Sequence, residues 1–187
     1  MGFINSKTAL LLIDIQNGFD NLDFWGGKRN NPEAEKVASK LLKYWRSNDL
    51  PVIHVKHCSV SPGSLLAKGQ DGNNIKDIVA PLNGEDIYEK SVNSAFIGTN
   101  LEDDLRRNEI DTIVVAGLTT DHCISTSVRM GANLGFKVYL VENACATFDK
   151  VGVNGEKFEA QLIHDTALAS LKDEFAQIIS SEKILSK

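Results

Sequence analysis

Apolar residues along this chain alternate between two patterns: short unbroken runs, and longer stretches spaced at roughly three to four residues. The runs "TALLLIDI" (8–15), "LPVIHVKH" (50–57), "DIYEKS" (86–91), "DTIVVAGL" (111–118), "KVYLVEN" (137–143) and "FAQIIS" (175–180) predict strands. Helical spacing predicts helices over 31–48, 99–109, 121–135 and about 156–172. In the first helix Asn31 is expected to cap and Pro32 to take the first position, with Val37, Leu41, Leu42 and Trp45 on the apolar face. Thr99 and Glu102 have capping-box spacing, and Gly135 is placed to end the third helix. Residues 58–85 carry little periodicity and much Gly, Asn, Ser and Pro. A loop this long is functional or mobile, and "SPGS" (61–64) reads equally as a lid or as plain surface.

Strands alternating with helices, the strands rich in Val, Ile and Leu, predict an α/β domain: a doubly wound parallel sheet covered on both faces. With no repeat or linker, residues 1–187 read as a single domain. Composition narrows the partners. The net charge of −5 and the lack of a basic run argue against nucleic acid and against an anionic membrane. The three cysteines, Cys58, Cys123 and Cys145, sit in unrelated contexts, so no disulfide framework is expected and a reducing compartment is. The N-terminal apolar run is broken by Asp14, too short for a signal peptide or a membrane span. A cytoplasmic protein is the expectation.

In doubly wound sheets, ligands bind outside the carboxyl ends of the strands, where the strand order reverses. Asp14 interrupts the first run on that side, Lys90 ends the 86–91 strand, and Cys123 lies just beyond the 111–118 strand. Singly, each has an ordinary explanation: a turn-forming acid, a solvated lysine, a small buried hydrophobe. Together they put an acid, a cation and a thiol on one rim. In the first turn of a helix, Cys123 would meet free N–H groups and the positive end of the dipole, which favour a thiolate. Lys90 beside it would lower the thiol pKa further. Asp14 could take the thiol proton and return it to a leaving group.

"LLLIDIQNGF" with Asp14, Gln16 and Phe19, then Lys90 followed by "SVNSAF", then "GLTTDHCISTSVR" together resemble the isochorismatase-like cysteine hydrolases. That superfamily includes nicotinamidases, N-carbamoylsarcosine amidases and streptothricin hydrolase. The motifs occur in the family's order, and the likeness extends through "NACATFD" (143–149) to the "HDTALASL..EFA" tail (164–176). The resemblance implies a Rossmann-like six-stranded sheet of order 3-2-1-4-5-6, with Asp14 and Cys123 on adjacent strands across the switch point. It implies that Asp14 deprotonates Cys123, that the thiolate near Lys90 attacks an amide-type carbonyl, and that the N–H groups of Thr119 and Cys123 meet the oxyanion. The peptide bond before Thr119 is expected to be cis. Phe19 and Phe96 match aromatic substrate contacts of the family, with core packing as the ordinary alternative. Trp25 is a third candidate wall, His57 a pocket residue, and Gln16 either a substrate contact or an orienter of its loop. A homo-oligomer acting on a small molecule without a cofactor is the expectation.

The chain departs from the family at one place. Nicotinamidases carry a metal site on an Asp-x-His arrangement after the second strand. Here "HVKHCS" puts His57 where the Asp would be and Ser59 where the His would be. His54 and His57 point to opposite faces of a strand, so no metal site is expected and nicotinamidase itself is disfavoured. A redox or metal-binding role for the thiol lacks a Cys-x-x-Cys partner. The complete Asp14–Lys90–Cys123 set favours acyl chemistry over vinyl-ether cleavage and over a catalytically idle member. The sequence therefore predicts a cysteine hydrolase cleaving a C–N bond of a small amide, lactam or carbamoyl compound.

Overall fold

A computed structural model describes residues 2–186. Strands β1 (Thr8–Ile13), β2 (Val52–His57), β3 (Asp86–Lys90), β4 (Thr112–Leu118) and β5 (Lys137–Ala146) follow the apolar runs. Two short strands, β6 (Lys150–Val151) and β7 (Lys157–Phe158), form a separate antiparallel hairpin, and β8 (Gln177–Ile179) closes the series. The main sheet has six strands in the order β3-β2-β1-β4-β5-β8, all neighbours parallel. With the hairpin outside it, this is the expected topology. The order reverses between β1 and β4.

Both faces are buried because successive strand residues point to opposite sides. In β1, Ala9, Leu11 and Ile13 join one apolar cluster while Leu10 and Leu12 join the other. A one-turn helix α1 (Leu22–Trp25) lies beyond β1, followed by α2 (Ala34–Ser47). With α6 (Glu182–Leu185), α2 covers the Leu10 and Leu12 face through Ala38, Leu41, Leu42, Trp45 and Ile184. Helices α3 (Leu101–Arg107), α4 (Ser125–Asn133) and α5 (Ala160–Leu171) cover the other face. Trp45 is fully buried, and its indole N–H donates to the Thr8 carbonyl at 3.1 Å, locking α2 onto β1. Among the described residues no helix is long and apolar enough to cross a membrane.

Several helix starts differ from expectation. Asn31 does not cap: its φ is +41° and its amide donates to the carbonyls of Glu142 (3.1 Å) and Cys145 (2.8 Å), so α2 opens later, at Ala34. The Thr99–Glu102 box does not form either. The Thr99 hydroxyl donates back to Ala95 at 2.6 Å, and Glu102 pairs with Arg106. The hairpin takes up 150–158, so α5 begins at Ala160 instead of 156. The aperiodic 58–85 segment is tied down at both ends. Bridges join Gln16 to Ile75 and Ser59 to Ala67. At its far end, Glu85 accepts from Arg46 (2.7 Å), His54 (2.9 Å) and the Leu82 N–H (2.9 Å).

Candidate active site

The rim where β1, β3 and β4 end brings the acid, cation and thiol together. Asp14 is the first residue past β1, in the left-handed region (φ +54°), with its N–H held by the Val55 carbonyl at 2.8 Å. Beside it β4 passes so close that a Cβ on Gly117 would lie 1.9 Å from the Ile13 carbonyl oxygen. Gly117 itself has φ +136°, so only glycine suits this position. The β4–β5 register shifts between Val115 and Gly117, a bulge of the kind that re-aims a strand next to a site. The Leu118–Thr119 peptide is cis, as the resemblance implied. The chain then winds through a π-helical turn, Thr120–Ile124, before α4 begins at Ser125. Cys123 sits in that turn, not in the first turn of a regular α-helix. From α5, His164 Nδ1 lies 2.9 Å from the Thr120 hydroxyl and anchors the turn from behind.

Lys90, at the end of β3, is almost fully buried. Its ammonium lies 2.7 Å from Asp14 Oδ2, 3.0 Å from His57 Nδ1 and 3.2 Å from Cys123 Sγ. An ammonium has three N–H bonds, and each finds an acceptor here. Burial lowers the His57 pKa, Lys90 lowers it further, and these outweigh Asp14 and a bond to the Val92 backbone. The ring is then neutral, and Nδ1 accepts from Lys90. Asp14 Oδ1 is buried with no partner among the described residues.

The electrostatics correct one expectation. Burial pushes the Cys123 thiol up, Asp14 adds to the rise, and Lys90 only partly offsets them. Asp14 is also raised, by burial, against the pull of Lys90. Each group disfavours the anion on the other. The thiolate is not preformed by a helix dipole.

Cys123 opens onto a cavity of about 100 Å³. Phe19, Trp25, His57 and the Thr119 segment line it, as anticipated. Phe19 stacks on Trp25 at 4.6 Å, and Phe148 backs both rings at 6.1 Å. Trp25 comes from α1, and its N–H donates to the Gly18 carbonyl at 2.8 Å. Gly26, the next residue, runs against Asp149: a Cβ there would lie 2.3 Å from the Asp149 carbonyl oxygen. Two expected substrate contacts lie elsewhere. Gln16 is fully buried, donating to the carbonyls of His57 (3.0 Å) and Asn73 (2.9 Å) and accepting from the His57 N–H (2.8 Å). With every polar atom engaged, it orients the loop. Phe96 packs in the core, stacked on Phe136 at 6.0 Å, because the chain after β3 turns its ring inward toward Gly131. Sequence reading missed Leu66, Asn93, His122 and Lys150, which complete the lining. His122 adjoins Cys123, Asn93 lies in "SVNSAF", and Lys150 follows "NACATFD"; Leu66 lies in the aperiodic loop and carries no such signal. A larger groove of about 600 Å³, near Arg46, Asp86 and Tyr88, lies at the opposite ends of the strands, away from this chemistry.

Asp14, His57 and Cys123 offer donor atoms within 4.8 Å of one another, a set that could hold a metal ion. All three contact the Lys90 ammonium, so a cation already stands at their centre. A metal would have to displace a buried, fully hydrogen-bonded lysine, and the residues do not fit one while Lys90 is in place.

At the switch point of the doubly wound sheet, Asp14, Lys90 and Cys123 thus form one buried cluster. The isochorismatase domain family matches residues 8–183, and the chain belongs to that family of hydrolases. An uncharacterised isochorismatase family protein, YrdC of Bacillus subtilis, is 44% identical over 97% of this chain and 96% of its own. The crystal structure of a putative isochorismatase-family hydrolase from Chromobacterium violaceum superposes with a TM-score of 0.94 at 43% identity, covering 100% of this chain and 95% of that one. Nicotinamidase 3 of Arabidopsis thaliana is 27% identical over 96% of this chain and 88% of its own.

Proposed function

We propose that this hydrolase cleaves a C–N bond in a small amide, lactam or carbamoyl compound through a thioester on Cys123. The observation that carries the reading is the Lys90 ammonium in contact with Asp14, His57 and Cys123 at once. Asp14 takes the thiol proton as Sγ attacks the carbonyl carbon. The developing oxyanion turns to the N–H groups of Thr119 and Cys123; one such donor contributes about 3–4 kcal/mol. The C–N bond then breaks, and the proton on Asp14 passes to the departing nitrogen, leaving the acyl group on sulfur. Water enters, gives a proton to Asp14 and attacks the thioester. The acid leaves and the proton returns to Cys123, so the cycle closes with water consumed and no oxidant needed. Lys90 holds both anionic partners in place throughout. A relative named as a nicotinamidase supports amide chemistry, while the His57–Lys90 contact argues against a nicotinamidase-type metal here.

The test is release of ammonia or amine from a panel of small amides, with intact-mass detection of an acyl adduct after acid quench. Wild type is expected to show the adduct on Cys123. Cys123→Ala should show neither adduct nor turnover, and Asp14→Asn should lose about 10³-fold or more in kcat, since the group that takes the thiol proton and returns it to the leaving nitrogen is removed. Turnover that survives Cys123→Ala would sink the thioester mechanism and favour general-acid cleavage.

A further inference from the structure

The cavity beside Cys123 is short, and its charge is one-sided. Among the described residues, Lys150 is the only one lining the cavity with a fixed charge, and no Asp or Glu lines the walls. The cationic end of that side chain is partly exposed and only loosely paired. Lys150 Nζ lies 3.4 Å from Asp121 Oδ2, longer than a charge-assisted hydrogen bond of about 2.7–2.9 Å. The same oxygen lies 3.4 Å from His122 Nε2, and the other accepts from the Thr147 hydroxyl. Asp121 therefore acts as a tether: it holds Lys150 and His122 at the mouth without saturating either. At the inner end, the Lys90 charge is matched by Asp14. Phe19, Trp25 and Leu66 give the same cavity an aromatic and apolar wall.

Resting on the C–N hydrolase reading, we propose that the substrate is a short molecule with a carboxylate at the end opposite its scissile amide, and that Lys150 receives that carboxylate. At about 100 Å³ the space is well below the roughly 300–1,000 Å³ of drug-sized sites, so only a few heavy atoms separate the two ends. The walls between them favour a flat or apolar connecting segment. Lys150 is a specificity residue: it touches the substrate away from the reacting atoms.

Two small thiol reagents of nearly equal size, iodoacetate and iodoacetamide, test this without a known substrate. Their relative rates at Cys123 are read by peptide mass analysis and compared with those of N-acetylcysteine amide, a neutral free thiol. The iodoacetate-to-iodoacetamide ratio is expected to be at least tenfold higher at Cys123. Lys150→Met should lose most of that bias, Lys150→Glu should reverse it, and Lys150→Arg should keep it. In parallel, kcat/KM for succinamate should exceed that for its methyl ester, with the preference lost in Lys150→Met mainly through KM. A ratio equal to that of the free thiol, or unchanged by Lys150→Met, overturns the proposal. So does failure of both reagents to reach Cys123. If anion bias is present while the amides and the esters alike go uncleaved, the C–N reading fails and the anion site stands.

Discussion

A thiol shielded from water, with a carboxylate facing it, behaves differently from an exposed one, and the difference is measurable as a pH profile. In the proposed mechanism the reactive form of the Asp14–Cys123 pair holds one proton: Asp14 as the base, Cys123 as the thiol. Adding a second proton disables the base, and because burial raises Asp14 the acid limb of kcat/KM is expected above the ordinary carboxylate value of 3.8. Losing the shared proton ends the alkaline side, and because burial and Asp14 raise Cys123 that limb is expected above the ordinary thiol value of 9.0. Both limbs move up together. An alkaline limb below pH 8 would mean the thiolate is preformed after all. Cys145, buried without such partners, is pushed up to about 12 by desolvation and serves as the unreactive control. The positions of Asp14, Lys90 and Cys123 were legible because each interrupts or ends an apolar run on the same side of the sheet. The thiol's rise was not legible. It comes from desolvation and a carboxylate from a distant part of the chain, neither of which appears in a local helix pattern. Gln16 and Phe96 took the second of the two roles open to each, loop orienter and core packing, because polar and aromatic side chains near a site also build its frame.

Among the elements, the long 58–85 segment owes its order to a few charged anchors. Glu85 is the clearest. Although burial opposes its ionisation, bonds from Arg46, the Leu82 N–H and His54 hold its pKa down to about 2. Its stabilising contribution is therefore complete above the ordinary value of 4.5 and is lost as pH falls through about 2. Glu85→Gln is expected to cost about 2 kcal/mol at neutral pH, with hydrogen bonds to a charged group being worth roughly 1.5–3. For a chain of this size that corresponds to about 4–8 °C in Tm. The Tm gap between the variant and wild type should narrow toward pH 2; a gap independent of pH would assign the loss to packing. The strands were readable because burial on both faces demands uninterrupted Val, Ile and Leu. Helix starts were less so. Asn31 gives up its capping role for carbonyls at Glu142 and Cys145, contacts that local spacing cannot reveal.

On the scale of the whole molecule, the parallel sheet follows from strand–helix alternation and from the chirality of the connections, whereas the strand order that sets the site at the β1–β4 crossover was implied by the family resemblance. The hairpin was unreadable, since two-residue strands leave no periodic trace. Self-association, which the family likeness implies, is expected in light scattering as a mass above that of one 20.5 kDa chain; a lone-chain mass would remove it. The hairpin carries a further consequence. Asp14, Lys90 and Cys123 are set by strands of the main sheet, whereas Lys150 rides on a ribbon outside it. On the roles proposed above, the chemistry and the charge that selects the far end of the substrate are thus written in separable parts of the chain. Descendants could rewrite the ribbon, and so exchange one diet for another, while inheriting the chemistry intact.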